Sequence, residues 1–446
     1  MSQLESARDH YLSRHEEFGR GLGDEPGWLS ELRREAIACF ADLGLPSSRL
    51  EEWRHTNVQP IASVPFELPA PGPSGISRDA LAPLAVPLFA CSLFVFVDGH
   101  FDEALSTSLA LGGDPAVESL ARQSATAFDP IGPYLGRLAD HKRHAFVALN
   151  TAFLDDAALL RVPRGTRLDS PIHLVFVDSG QATPSVCHPR LLVVAEEGSS
   201  VSIVQDHVSL EQGRGFTNSV TEVFAEAGSA VEYVLLQRQS PSQAHVSNLS
   251  VRLEREARFT GHTVSLSGAW VRNDASVVLS GEGAECVLNG LFVGDGDQHI
   301  DNHTLVDHAV PHCRSRELYK GILAGHAKGV FRGRIIVRPD AQHTNAEQSN
   351  PNLLLSDTAQ INTKPQLEIR ADDVKCRHGS AIGRLDDAAL FYLQARGIGE
   401  EEARELLARG FAAEVTGSIS NGSLRAEIDR LVGEKLDRGA GERKSA

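Results

Sequence analysis

The most informative short stretch of the sequence is ADDVKCRHGSAIGRL, residues 371–385, because it places Cys376 and His378 one residue apart. Thiolate and imidazole groups both bind iron and zinc, so this pair could hold a metal ion or part of an iron–sulfur cluster. In a β-strand, side chains two positions apart project from the same face. The chain supplies only these two ligands close together, so a metal site here would have to be completed from elsewhere, as at a subunit interface.

The same two residues also allow a purely structural interpretation. Free cysteines are mostly buried and inert, and a histidine in a strand can serve as a hydrogen-bonded packing residue. Without information from related proteins, the residue types of Cys376 and His378 favour a packing role over metal binding. The metal-ligand interpretation stays open for both Cys376 and His378.

A histidine-rich run between residues 299 and 343 is a second candidate for metal binding. Imidazole suits iron and zinc, but four-residue spacings do not make side chains converge when the residues lie on strands. We expect most of this run to pack at turns and corners. Its members are His299, His303, His308, His312, Cys313, His326 and His343.

Composition limits the class of protein. A chain of 446 residues with 41% hydrophobic residues can form two or three domains with a large buried core. Its net charge of -16 argues against nucleic acid or an anionic membrane surface as the main partner. There is no secretory signal pattern at the N-terminus and no apolar run of the roughly 20 residues that a membrane span needs. Six scattered cysteines without a CxxC pair indicate a cytoplasmic protein with reduced thiols.

The first third of the chain is predicted to be mostly helical. Residues 1–45 repeat apolar side chains at helical spacing and end at Gly44 and Pro46. Residues 66–87 are rich in proline, alanine and glycine and indicate a connector, and residues 93–98 indicate a strand. We therefore expect residues 1–157 to form a mostly helical N-terminal region with a linker.

Residues 158–384 carry a strand pattern that no convincing helix interrupts. Apolar residues alternate at period two, as at Val201 and Ile203. A loose repeat of acidic residue, small residues and strand also recurs roughly every 25 to 30 residues, near Gly198, Gly228, Ala257 and Gly283. A sandwich would instead need hairpin signals at about 8–12-residue intervals, and these are nearly absent. The pattern predicts a mainly β fold with a parallel β-helix core.

Residues 385–446 are predicted to form a helical C-terminal region. Acidic residues open a helix in LDDAALFYLQARG, with Gly397 just beyond its end. A second helix starts at Glu400, and its apolar side chains are predicted to share one face. A third spans residues 421–435. The residues assigned to the shared face of the second helix are Ala403, Leu406, Leu407 and Phe411.

Several long segments, in order along the chain, resemble the SufB/SufD family of iron–sulfur cluster assembly proteins. The CRHG signature at residues 376–379 has the SufD form rather than the SufB form. Where the family usually has HGAT, this chain has HGSA, a change between small residues that leaves Cys376 and His378 in place. The similar segments are residues 301–323, 329–337, 341–369, 371–386 and 389–398, with SRLEEWRHTNV (48–58) nearer the N-terminus.

The resemblance implies a right-handed parallel β-helix core flanked by helical regions. It also implies a non-catalytic scaffold subunit that pairs with a SufB-like subunit through the β-helix. Each subunit of that pair would bind one SufC-like ABC ATPase. Such a complex builds a nascent iron–sulfur cluster and passes it to carrier proteins. The sequence contains no GxxxxGK[ST] motif, so the ATPase activity would belong to the SufC partner.

The resemblance also implies where the site lies. It places the histidine that matches His378 at the SufB–SufD interface, so His378 is expected to be a ligand or proton-handling group, with Cys376 as its companion. A transient cluster is expected there, and no cofactor tightly bound to the isolated chain. The C-terminal helices are expected to dock SufC. The residues assigned to that surface are Phe391, Tyr392, Arg396, Leu406, Leu407 and Phe411.

Two other functions fit the predicted fold. A homodimer could act as the scaffold without SufB. A polysaccharide lyase or hydrolase on a β-helix is the enzymatic alternative, but such enzymes act outside the cell and need carboxylates clustered in a groove. Here the acidic residues mostly fall at presumed corners and helix starts.

Overall fold

The structure is a computed structural model that describes residues 2–23, 25–69, 75–84, 86, 91–108, 117–122, 131–181 and 183–443. Most of these residues form a parallel β-solenoid with helices in the N- and C-terminal parts of the chain, which confirms the predicted fold class. Parts of the predicted connector and of the rest of the predicted N-terminal region lie outside the described residues. The strands are β1 (Ser92–Val97), β2 (His100–Thr107), β3 (Val117–Ser119), β4 (Ala158–Val162), β5 (Ile172–Asp178), β6 (Ser185–Cys187), β7 (Arg190–Ala195), β8 (Ser200–Ser209), β9 (Gly215–Ala225), β10 (Ala230–Gln237), β11 (Ala244–Leu253), β12 (Arg258–Ser265), β13 (Trp270–Leu279), β14 (Glu285–Gly294), β15 (His299–His308), β16 (Arg314–Leu323), β17 (Lys328–Val337), β18 (Asn345–Leu354), β19 (Gln360–Ile369) and β20 (Lys375–Gly383).

Two ten-stranded sheets make the solenoid. Sheet 1 has the order β2-β1-β5-β8-β10-β12-β14-β16-β18-β20. Sheet 2 has the order β3-β4-β7-β9-β11-β13-β15-β17-β19, with β6 paired to β9. From β8 onward the chain alternates between the sheets, and each strand pairs parallel with the strand two positions later. One strand of each sheet therefore makes a rung, and the space between the sheets, here called the lumen, is filled by inward-facing side chains.

The sequence repeat corresponds to one corner of this solenoid. Gly198, Gly228 and Gly283 adopt positive φ angles of 70°, 66° and 74°, a region that glycine enters without steric cost. Glu256 takes the same corner conformation between Gly228 and Gly283. Backbone hydrogen bonds link neighbouring corners, for example from the Gly228 N–H to the carbonyl of Arg255. The repeated small residues therefore mark the turns at which successive rungs stack.

Helices cover the N-terminal part of the solenoid. The predicted helical segment 1–45 forms two helices, and the second ends at Gly44, whose N–H donates to the Phe40 carbonyl. Trp53 is buried against Trp270 of β13 with the Arg272 guanidinium 3.8 Å from its ring centroid, so the EEW segment packs on sheet 2 of the solenoid. The helices are α1 (Gln3–Gly21), α2 (Gly27–Leu43), α3 (Gln59–Ala62), α4 (Arg78–Leu81), α5 (Ala145–Ala152), α6 (Asp387–Gln394), α7 (Glu400–Thr416) and α8 (Gly422–Arg443), with 3-10 turns at Glu51–Trp53, Ala82–Leu84 and Leu120–Arg122.

Strands also occur before residue 158. The predicted strand at residues 93–98 is confirmed as β1, and it pairs in parallel with β5. β2 pairs with β1, and β3 pairs with β4, in both cases antiparallel. Sheets 1 and 2 therefore extend into the N-terminal region that was expected to be mostly helical.

The C-terminal helices pack on the outer face of sheet 1. α7 buries Ala408, Ala412 and Val415 in a cluster with outward-facing residues of sheet 1. The predicted packing face is wrong in part, because Leu406 is 46% exposed. Ala408, Ala412 and Val415 form the contact with the sheet instead, and Leu406 lies outside that contact. None of the helices within the described ranges is long and apolar enough to cross a membrane.

Candidate functional site

Cys376 and His378 lie on β20, the last strand of sheet 1. Their register partners on β18 are Ala346 and Gln348, which are each 1% exposed and face the lumen. Side chains of paired residues in a parallel sheet point to the same face. Cys376 and His378 therefore both face the lumen, at its end, and the expectation that they share one face holds.

This end of the solenoid is open. Among the described strands, β20 pairs only with β18 and β19 only with β17, so both sheets end in unpaired strand edges. His378 is exposed and Cys376 is half-buried. Ile369 of β19 and Ile382 of β20, whose register partners face the lumen, remain 43% and 52% exposed. The last rung thus presents an apolar surface that includes a thiol and an imidazole.

The opposite wall of the open end comes from β19. The Thr363 hydroxyl donates to Asn350 Oδ1 at 2.7 Å, which shows that Thr363 faces the lumen. Pro365 and Leu367 follow on the same face by alternation, and Leu367 packs partly against the core. Cys376 and His378 therefore line one side of a shallow, mixed polar and apolar mouth.

Two buried polar residues that the sequence analysis did not select lie below His378. Gln348 Nε2 donates to Glu317 Oε2 at 3.1 Å, and the Thr304 hydroxyl donates to the same oxygen at 2.6 Å. Burial raises the pKa of Glu317 to about 7. The length of the rung repeat could have identified these two residues. Glu317 and Gln348 are 31 residues apart, and His378 follows Gln348 after a similar interval, so the three fall at the same position of successive rungs.

The environment of Cys376 differs from that of His378. Burial raises the pKa of the Cys376 thiol, with a smaller opposing effect from a backbone hydrogen bond at Ala346. A thiol with a raised pKa is protonated at neutral pH and must lose that proton before it binds a metal. Of the two residues, the exposed imidazole of His378 is the more accessible ligand.

The histidine-rich run does not converge. His299 bonds Thr56 at 3.0 Å, His303 lies 3.0 Å from Asp301, and His308 bonds Ser315 at 2.8 Å. Within the described ranges no group of three or more His, Cys, Asp or Glu side chains is arranged to hold a metal ion.

Two histidines of the run form a corner pair. His312 and His343 stack with ring centroids 4.7 Å apart, and both adopt positive φ at the corner that glycine occupies in earlier rungs. His326 is exposed in a turn, and Cys313 is fully buried. These four residues therefore lie at turns and corners of the solenoid, as expected for most of the run.

The residues assigned to a partner surface on the C-terminal helices divide into two groups. Phe391 and Tyr392 of α6 are 72% and 57% exposed, and the Arg396 guanidinium lies 4.6 Å from the Tyr392 ring centroid. Leu406 is exposed and Leu407 half-buried on α7.

Phe411 belongs to the other group. It is half-buried against sheet 1, with Lys320 Nζ 4.0 Å from its ring centroid and a hydrogen bond from Lys320 to its carbonyl. Phe411 therefore anchors α7 to the solenoid, and the outward apolar surface consists mainly of Phe391, Tyr392 and Leu406.

Two family models together match most of the chain. The model described as SUF system FeS cluster assembly, SufBD core domain, matches residues 176–411. The model described as SufBD protein N-terminal region matches residues 7–174. The core match includes β20 and the exposed part of α6, so it contains every residue selected for the site and for the partner surface.

Curated relatives give the same result. An iron–sulfur cluster assembly SufBD family protein of Synechocystis sp. is 32% identical over 418 residues, which is 92% of each chain. The iron–sulfur cluster assembly protein SufD of Escherichia coli is 31% identical over 399 residues, covering 89% of this chain and 90% of that protein. A SufBD family protein of Mycobacterium leprae is 32% identical over 328 residues, covering 71% and 82%.

Proposed function

The chain belongs to the SufBD family of iron–sulfur cluster assembly proteins and is SufD-like over most of its length, and from this premise we propose that it is a non-catalytic scaffold subunit of a SufB–SufC–SufD-type complex. In this proposal the complex assembles nascent iron–sulfur clusters and passes them to carrier or apo proteins. The cluster is cargo, held transiently at the interface with a SufB-like subunit.

The observation that carries the proposal is the open last rung. β19 and β20 offer unpaired backbone N–H and C=O groups, and such edges are the sites at which another chain can add strands. Ile369 and Ile382 supply apolar area that a partner would bury. A SufB-like subunit docked there would cover the mouth and bring its own ligands to His378.

The chemistry of the mouth fits a transient cluster. One imidazole and one protonated thiol cannot hold a cluster permanently, since stable clusters usually take four ligands from the protein. Ligands shared between two subunits would instead release the cluster when the interface changes. His378 is the proposed ligand or proton-handling group, and Cys376 is its companion.

The second proposed interface is the C-terminal helical region. Phe391 and Tyr392 are large aromatic side chains that are exposed in the isolated chain. Aromatic side chains are enriched at the centres of protein interfaces, where the partner buries them. We assign this surface, with Arg396, Leu406 and Leu407, to a SufC-like ATPase, which would supply the ATP hydrolysis. A cytoplasmic location is part of the proposal, because all six cysteines are free and thiols stay reduced in that compartment.

The test is co-purification of the chain with its SufB-like and SufC-like partners, followed by anaerobic iron and sulfide analysis of the complex and of the chain alone. We expect a stable complex that carries cluster, with little or none on the isolated chain. A stable cluster on the isolated chain would overturn the shared site. A homodimer that assembles cluster without the SufB-like partner would favour the homodimeric scaffold over the SufB-like pairing.

The site itself is tested by His378→Ala. We expect this variant to keep the fold and the SufC-like partner but to lose most of the cluster. His326→Ala is the matched control, because it also removes an exposed imidazole but lies in the turn between β16 and β17 rather than on the last rung. Wild-type iron and sulfide content in the His378 variant would exclude His378 from the site.

A further inference from the structure

A buried acid and a buried amide form a column with His378 below the open rung. In register, Glu317 of β16 pairs with Gln348 of β18, and Gln348 pairs with His378 of β20. We propose that Gln348 and Glu317 are positioning residues: Gln348 accepts the ring N–H of His378, and Glu317 holds the Gln348 amide, so that one ring nitrogen of His378 is left free to bind iron. The inference rests on the proposed role of His378 and adds the residues that orient it.

Packing and hydrogen bonds hold the amide of Gln348 in one place. Its Nε2 donates to Glu317 Oε2, which also accepts the Thr304 hydroxyl from the opposite sheet. All three side chains are buried. Gly333 on β17 leaves the room that the amide occupies, because a Cβ atom at that position would lie 2.2 Å from Gln348 Nε2.

This arrangement determines the direction of the amide oxygen. Because Nε2 faces Glu317, Oε1 is directed away from β16. Among the described residues, Gln348 Oε1 is buried without a hydrogen-bond partner, and an unmet buried acceptor is costly. The next lumen-facing side chain beyond Gln348 in the column is His378, whose ring carries an N–H in either neutral tautomer. Donation from that ring would satisfy Oε1.

The consequence for His378 is chemical. A histidine that binds a metal usually donates its other ring N–H to a neighbouring acceptor, which fixes the tautomer and orients the ring. Gln348 would be that acceptor, and Glu317 would keep its amide from reversing. When Glu317 is ionised it can only accept, so its Oε2 takes the hydrogen bonds from Thr304 and from the Gln348 Nε2, and the amide oxygen of Gln348 is left for another donor.

The direct test is the tautomer of the His378 ring, measured by long-range ¹H–¹⁵N correlation on histidine-labelled chain and assigned with His378→Asn. We expect one tautomer in the wild-type chain and the mixture typical of a free imidazole in Gln348→Leu. Glu347→Gln is the matched control, since Glu347 lies next to Gln348 in sequence but points outward and pairs with Arg377. Identical ring signals in the wild type and in Gln348→Leu would overturn the inference.

The second test is cluster formation in the reconstituted complex. Loss of such a supporting residue typically lowers metal affinity by about 10- to 100-fold, so we expect at least a ten-fold slower assembly in Gln348→Leu. The swap variant Glu317→Gln with Gln348→Glu keeps both the internal hydrogen bond and an acceptor facing His378. It should restore the rate and the single tautomer, which separates positioning from a loss of folding.

Failure of this inference differs from failure of the proposed function. Loss of cluster in His378→Ala, with normal assembly in Gln348→Leu, would overturn only the positioning role. Normal assembly in His378→Ala, with an altered ring tautomer in Gln348→Leu, would overturn the ligand role of His378 and support the contact between the two side chains.

Discussion

The two ends of the solenoid are built from the same rungs but finished differently. At the first end, antiparallel strands β2 and β3 cover the edges of β1 and β4, and all seven residues of β5 are buried. At the last end, β20 has one half-buried residue and is otherwise exposed. The first end thus has an added antiparallel strand on each sheet, whereas the last end stops at the final parallel rung. The last rung is the surface that we propose a SufB-like subunit covers.

The largest expected effect comes from breaking the closed end. Phe96 of β1 is 1% exposed, and its ring stacks on Phe176 with centroids 5.1 Å apart. Replacing it with alanine should lower the free energy of unfolding by about 3–5 kcal/mol, because the cavity cannot be refilled. The measurement is urea denaturation of the isolated chain. Ile382→Ala at the open end is the counterpart, and we expect a change within about 0.5 kcal/mol there.

The next effect concerns the interior just below the open end. Burial raises the pKa of Glu317 from 4.5 to about 7, so the folded chain retains a proton that the unfolded chain has lost. Stability should therefore fall as the pH rises from 4.5 to 7 and then level off, by roughly 3 kcal/mol for this group. Glu317→Gln should lack this fall, as measured by denaturation at pH 5 and pH 8. Parallel curves for the variant and the wild type would contradict the assignment, and Glu347→Gln serves as the surface control.

A smaller effect is expected for the association of the open end with its partner. Ile382→Asp places a charge in the apolar mouth, which the exposed side chain tolerates in the isolated chain but which docking would bury. We expect at least a ten-fold weaker complex with the SufB-like subunit, measured by titration, at an unchanged melting temperature. Unchanged affinity would mean that the partner does not cover β20.

The smallest structural change should come from the C-terminal helices. Phe391→Ala removes a ring that is 72% exposed, so the isolated chain should keep its stability. Binding of the SufC-like partner should weaken, whereas binding of the SufB-like partner should not. Phe411→Ala is the informative control, because that ring packs on Lys320 and its loss should instead lower the melting temperature. If the Phe391 variant binds the SufC-like partner as tightly as the wild type does, the docking surface does not include Phe391.

The sequence was sufficient for the fold because its signals are local and repeated. Period-two alternation predicted the strands, and the loose repeat of small residues predicted the corners at which Gly198, Gly228 and Gly283 lie. The sequence also predicted where the second helix ends, at Gly44. The placement of Cys376 and His378 on one face followed from the two-residue period of a strand.

Other features depend on contacts between distant segments, which the sequence alone does not define. Which residue lies below His378 depends on the strand register, so Gln348 and Glu317 were missed. The packing face of α7 also depended on the surface that it meets, and the sheet accepted Ala408 and Ala412 rather than Leu406. The antiparallel covering strands β2 and β3 gave no repeat signal at all.

The position of the helices also restricts where this solenoid can lengthen in evolution. Strands in a sheet are about 4.8 Å apart, so each inserted rung would displace everything beyond it by that distance. α7 packs on β16, whereas α6 begins only a few residues after β20 and joins α7 through a short connection. An insertion between β16 and β20 would pull that connection apart, but one before β14 would carry the last rung and all three helices outward together. Variation in length among relatives should therefore be confined to the earlier rungs.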